Sequence, residues 1–114
     1  MIYKKLKDAE IFEGPTNRTY EYNVEDKDIN YCIVDINGRF PKNKKWAINR
    51  KCKEMAHVLN GGGILVVGDK EYHLEKDDVV LIDVNEKYYW EGNFRLGIPC
   101  APAWYPEQHE EIDE

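Results

Sequence analysis

The sequence has no run approaching the roughly 20 apolar residues that a membrane-spanning helix needs. Its opening, Met1-Ile2-Tyr3-Lys4-Lys5, has none of the pattern of a secretory leader. It is poor in cysteine: Cys32, Cys52 and Cys100 are an odd number and form no C-x-x-C pair. Neither a disulfide framework nor a zinc ribbon is therefore written into it. Such thiols read as the reduced, buried small hydrophobes of a cytoplasmic protein. There is also no phosphate-cradling glycine loop, no dinucleotide fingerprint and no Ser-His-Asp elbow. Helical periodicity is missing as well, since Met1 to Ala9 is too short to stand alone as a helix.

What is present is an ordinary globular mix. Hydrophobic residues make up 42% and charged residues 33% of 114 residues, one domain's worth of chain. The 16 basic and 22 acidic side chains leave a net charge of −6, which repels nucleic acid and anionic membranes. The charge is uneven. Residues 39 to 53 hold Arg39, Lys42, Lys44, Lys45, Arg50, Lys51 and Lys53 and no acid. That stretch reads first as a solvated loop and strand face, and second as an attractor for an anionic small ligand or an acidic partner.

From residue 18 the pattern is that of strands. Tyr20 to Val24 alternates, and Ile29 to Ile36 is rich in β-branched and aromatic residues. Asn37-Gly38, Asn60-Gly61-Gly62-Gly63, Gly68-Asp69, Asn85-Glu86 and Gly92-Asn93 read as turns. Between them fall the predicted strands Trp46 to Cys52, Glu54 to Leu59, Ile64 to Val67, Glu71 to Leu74, Val79 to Ile82, Lys87 to Glu91 and Phe94 to Cys100. Short strands with turns every 8 to 12 residues predict an all-β antiparallel sandwich or barrel. The expected core covers about 18–106, with residues 1–17 and the acidic tail 107–114 peripheral, although Ile112 has the character to dock.

Residues 54 to 92 carry a more specific pattern. Glu54 is followed six residues later by Gly61, with Val58-Leu59-Asn60 leading into it. An acidic pair, Asp77-Asp78, then precedes a hydrophobic strand, a tight turn and an aromatic strand. This resembles the cupin superfamily of small jelly-roll barrels, and Pro102 to Glu107 is similar to the last strand of small single-domain cupins. The resemblance implies a ligand cavity inside the barrel. In the family that cavity usually holds a metal on three histidines and a glutamate. Here the two histidines of the first motif are replaced by Ala47 and Asn49, or by Ile48 and Arg50 with the shorter spacer. The third is replaced by Tyr88. Only Glu54 remains of the set.

The resemblance therefore implies no standard metal site, and no cofactor is expected. A reordered set such as Glu54, Cys52 and His109 is the one metal-binding alternative, because a transition ion wants about three such ligands. His57 and His73 are expected to face solvent. The matched positions put Asn49, Glu54 and Tyr88 on the cavity face, and parity adds Trp90 and Cys52. These five are the expected ligand-binding residues: an amide, an acid, a phenol, a ring and a thiol.

The leading expectation is a protein that binds a small polar or anionic molecule in the barrel. The alternative is a cupin enzyme using Glu54 and Tyr88 as an isomerase, epimerase or lyase, or a metal-dependent oxygenase on the reordered set. A buried carboxyl among rings has a raised pKa and suits proton transfer. The bland reading of the same residues is a filled structural core. A third possibility is a barrel that serves only for interaction or dimerisation, and a homodimer is expected. Light scattering should then return twice 13.4 kDa, and a mass of about 13 kDa removes the dimer.

Overall fold

The computed structural model describes residues 1–113. It is built from nine strands and two single 3-10 turns, with no α-helix among the described residues. The strands are β1 (Glu10–Glu13), β2 (Asn17–Tyr22), β3 (Asn30–Phe40), β4 (Lys45–Asn49), β5 (Lys53–Val67), β6 (Lys70–Leu74), β7 (Val79–Ile82), β8 (Lys87–Ala101) and β9 (His109–Asp113). All pairings are antiparallel, as the strand-and-turn pattern predicts. One curled sheet runs β1-β2-β3-β8-β4-β9, and β5 joins it along β8 while carrying β6 and β7. The 15-residue β8 is the spine, because β3 and β5 flank it over most of its length and β4 takes the place of β3 at Tyr88.

Three predicted turns are not turns. Asn37-Gly38 lies inside β3, Asn60 to Gly63 inside β5, and Gly92-Asn93 inside β8. The reason is close approach rather than chain reversal. Gly38, Gly92 and Gly63 stand side by side across β3, β8 and β5 and form one rung with no side chain. A Cβ on Gly63 would meet the Glu91 carbonyl oxygen at 2.4 Å and the Gly92 Cα at 2.8 Å. Glycine in a strand interior permits this kind of bend and backbone contact. The long strands fold over here, and the barrel closes. β5 also shifts register between Val58 and Asn60, a bulge that adds to the curl.

The two ends of the chain depart from expectation. Residues 10–13 add β1 to the sheet beyond the predicted 18–106 core, and the tail forms β9 along β4, where Trp46 faces Ile112. Glu114, the last residue of that expected tail, lies outside the described residues. Pro102 to Glu107 is not the last strand: prolines without N–H groups keep it irregular, and strand pairing begins at His109. Trp46 to Cys52 also ends early, because the chain bends after Asn49.

Inside the curl, Ile36, Val58, Leu65, Phe94 and Leu96 are each at most 2% exposed and form the apolar floor. Burying each such side chain contributes about 1.5–3 kcal/mol. Outside it, three of the seven basic residues of the 39–53 segment are held by local partners. The Arg39 guanidinium lies 3.7 Å from the Tyr89 ring centre and donates to the Pro41 and Lys45 carbonyls. Arg50 binds Glu110 and Asn85, and Lys53 lies 3.8 Å from Asp83.

Gly61 gives a test of this architecture. Its φ is +79°, and a Cβ would sit 1.9 Å from the Asn93 carbonyl oxygen. Gly61→Ala should lower unfolding free energy by about 1–3 kcal/mol, read from urea melts. An unchanged midpoint would mean the strands do not pass this closely.

Candidate functional site

Strand alternation sets the inner face. Glu21, Cys32 and Ile98 form one rung across β2, β3 and β8, and Asn30, Cys100 and Glu54 form the next across β3, β8 and β5. Residues two apart on a strand share a face, so Glu21 and Glu54 look into the same space. That space is a cavity of about 620 Å³, well within the ~300–1,000 Å³ of small-molecule sites. Glu54, Tyr88 and Trp90 line it. Asn49 does not reach the wall but sits directly behind it, 1% exposed.

Asn49 is the hub. Its Nδ2 donates to Glu54 Oε1 at 2.7 Å and to the Tyr88 hydroxyl at 3.4 Å. Its Oδ1 accepts from Gln108 Nε2 at 2.9 Å and lies 3.1 Å from His109 Nδ1. Because Oδ1 is an acceptor, the histidine nitrogen facing it carries the hydrogen. The amide's two donors and two lone pairs are thus all engaged. Gln108, 3% exposed, also accepts from the Lys51 and Cys52 backbone N–H groups at 3.2 Å each, stitching the C-terminal arm to the β4–β5 bend.

Of the five expected site residues, Glu54, Tyr88 and Trp90 line the cavity, Asn49 lies behind its wall, and Cys52 lies outside it without joining the Asn49 network. The bend at Arg50-Lys51 breaks the parity that would have aimed it inward. Its thiol lies beside Cys100 and 4.0 Å from the Ala103 carbonyl, outside the cavity wall. The reordered metal set of Glu54, Cys52 and His109 is therefore not brought together. No three or more His, Cys, Asp or Glu side chains converge as a ligand set among the described residues. Asn49 also turns N–H donors toward Glu54 and Tyr88, so a hydrogen-bond donor stands where a cupin metal would draw on lone pairs. The residues do not fit the family's metal.

The electrostatics are one-sided. Burial pushes the Glu54 carboxyl above its ordinary range, partly offset by the Asn49 bond. Burial, with Glu54 and Glu10 nearby, raises Glu21 to about 7, although Asn30 Nδ2 donates to it at 2.5 Å. Tyr88 is held well above the ordinary phenol range by burial and by Glu54, and stays a neutral donor. Burial lowers His109, against an opposing pull from Glu111.

Sequence reasoning missed several of these residues. In the sequence Glu21 has the character only of the middle of an alternating strand, and Cys32 and Cys100 only that of buried thiols. Trp104, Gln108 and Glu111 lie in segments assigned elsewhere. The signal for Glu21 was available: in Tyr20-Glu21-Tyr22 the acid has the opposite parity to its two aromatic neighbours. His109 folds over the cavity and lines it. His57 and His73, with side chains 43% and 79% exposed, are turned to solvent.

No family model matches the chain, and no curated protein does. Solved structures do. The Streptomyces protein Pac13, described as a nucleoside dehydratase and solved with uridine, superposes with TM-score 0.88 at 15% identity, over 98% of this chain and 92% of that one. Ectoine synthase from P. lautus gives 0.77 at 17% identity, over 98% and 90%. Oxalate decarboxylase from Bacillus subtilis gives 0.81 at 8%, over 93% of this chain and 30% of that one. The fold is the antiparallel cupin barrel that the motif spacing implied.

The raised Glu21 value makes stability depend on pH. An acid whose folded pKa lies near 7 against an ordinary 4.5 is most compatible with folding when protonated. Its contribution is complete below about pH 4.5 and is lost as pH rises through 7. After allowance for solvent around this half-buried group, the loss is about 1–2 kcal/mol. Urea melts should show wild type losing that much between pH 4.5 and 8 relative to Glu21→Gln. Parallel pH profiles for the two proteins would refute the assignment.

Proposed function

We propose that this protein binds a small polar molecule inside the barrel, and that the molecule is uncharged or positively charged. The supporting observation is the composition of the cavity wall: Glu10, Glu21, Glu54 and Glu111 line it together with His109, and neither lysine nor arginine does. An anionic ligand drawn in by the basic 39–53 segment finds no support in this arrangement, because none of its seven basic residues lines the cavity. On the floor, Tyr88 offers a neutral hydroxyl donor and the second oxygen of Glu54 offers an acceptor. Trp90 supplies a flat apolar surface that excludes water and strengthens both bonds.

One observation favours turnover as well as binding. Glu21 and Glu54 occupy one cavity, and Glu21 titrates near neutrality. A carboxyl that changes protonation near pH 7 can take or deliver a proton at comparable cost. With Tyr88 to hold a developing oxyanion, this set suits an isomerase, epimerase or lyase. In an elimination, one carboxylate removes a proton beside a carbonyl and a protonated carboxyl gives one to the departing hydroxyl. Pac13 is described as a dehydratase, so the fold accommodates reactions of this class.

The test is a panel of size-matched nucleosides, polyols, amines and carboxylates followed by tryptophan emission. Neutral and cationic members should bind. Glu54→Gln or Tyr88→Phe should weaken them about tenfold, or about 1.4 kcal/mol. A preference for the carboxylates would overturn the reading. If a bound compound is turned over, its rate should change protonation state near pH 7 and lose that inflection in Glu21→Gln.

A further inference from the structure

Resting on the reading that the barrel binds a small molecule, we propose that its occupant is an organic cation bearing a hydroxyl or carbonyl oxygen, seated on the inner aromatic rings and neutralised by the cavity glutamates. The first observation is the distribution of partners. Every ion pair that a lysine or arginine makes among the described residues lies outside the cavity: Glu13 pairs with Arg18, Asp35 with Arg95, Glu110 with Arg50 and Asp83 with Lys53. The four acids of the cavity come from four different strands, β1, β2, β5 and β9, and none meets a lysine or arginine among the described residues. Glu21 and Glu54 have only the amides of Asn30 and Asn49. Glu111 has only the imidazole of His109, at 3.6 Å.

The second observation is the aromatic lining. Phe12, Phe40, Tyr88, Trp90 and Trp104 face the same space. Outside the barrel the protein's own cations lie over aromatic rings, Arg39 over Tyr89 at 3.7 Å and Lys87 over Trp46 at 4.7 Å. The inner rings have no such cover. Rings and carboxylates facing one cavity are the chemistry that holds an ammonium group, each ring contributing electrostatic attraction through its face. An inorganic cation fits less well, because no ligand set converges and rings offer it no lone pairs.

The third observation supplies the oxygen. Tyr88 is 3% exposed and lines the cavity. Its oxygen accepts from Asn49, and no acceptor for its own hydrogen exists among the described residues. A buried donor left free is costly, and an oxygen on the occupant satisfies it. The glutamates also repel one another while the cavity lacks positive charge, and a cation relieves that repulsion.

Choline and its uncharged isostere 3,3-dimethyl-1-butanol separate the terms, since they share shape and hydroxyl and differ in charge. By calorimetry and tryptophan emission, choline should bind at least about tenfold more tightly than the alcohol. The difference should shrink in Glu21→Gln and in the exposed Glu111→Gln, whose folding is checked by circular dichroism. Choline affinity should also rise from pH 6 to pH 8 as Glu21 sheds its proton, and Glu21→Gln should flatten that rise. The groups facing Glu21 are Glu10, Asn30, Cys32 and Glu54, with His109 and Glu111 across the cavity. Equal affinity for the two probes, or binding of the alcohol alone, overturns the cation and leaves the small-molecule reading standing. Silence from both probes, together with silence from the nucleosides and polyols, overturns both.

Discussion

One carboxamide joins four parts of this molecule. Asn49 ends β4, reaches β5 through Glu54 and β8 through Tyr88, and receives the C-terminal arm through Gln108 and His109. A buried amide with any of its hydrogen-bonding positions empty would cost about 1–3 kcal/mol for each, so the arrangement is stable only when complete. That requirement couples distant stretches of chain. Gln108 must return to the β4–β5 bend, and β9 must pair along β4. In doing so they carry His109 and Glu111 to the cavity. The cavity is thus closed by residues that the local sequence marks as tail.

Much of the architecture was legible because it rests on alternation. The strand runs from Ile29 onward and the antiparallel class follow from a period of two; the inward placement of Glu54 and Tyr88 is what the cupin resemblance implies, and parity with Tyr88 adds Trp90. Glycine was where local reading failed. A glycine pair between two hydrophobic runs signals a hairpin when the runs pair with each other. In β5 and β8 the runs pair instead with a third strand, so the same glycines mark a bend where Gly38, Gly92 and Gly63 touch. Which of these holds depends on partners remote in sequence. The misplacement of Cys52 has a similar origin, because the bend at Arg50-Lys51 is fixed by Gln108, 57 residues further on.

The substitutions at the motif positions have a joint electrostatic consequence. Three histidines around a glutamate form a site whose charge is balanced by a metal ion. With Asn49 and Tyr88 in their stead, the polar atoms facing Glu54 are hydrogen-bond donors, and an amide N–H takes up part of the negative charge. Burial raises the proton affinity of both Glu54 and Glu21; the Asn49 amide offsets it only in part at Glu54, and the Glu54 charge adds to it at Glu21. Of the two carboxyls, Glu21 is raised to about 7 and Glu54 is raised above its ordinary range, so both favour the protonated form more than a free side chain does.

The same imbalance bears on what enters the cavity. A site with unbalanced acids has two ways to lower its energy: bind protons, or bind a cation. Protons are always available, and Glu21 holds one over much of the neutral range. A cation must do better than the proton it displaces, which it achieves only where further contacts add to the charge. The rings of Trp90 and Trp104 and the free hydroxyl hydrogen of Tyr88 are such contacts, and they lie within the same walls as the acids. In the proposed complex an ammonium would be preferred over a small inorganic cation: a compact, strongly hydrated ion gains little from an aromatic face, whereas a weakly hydrated ammonium gains from ring and carboxylate together.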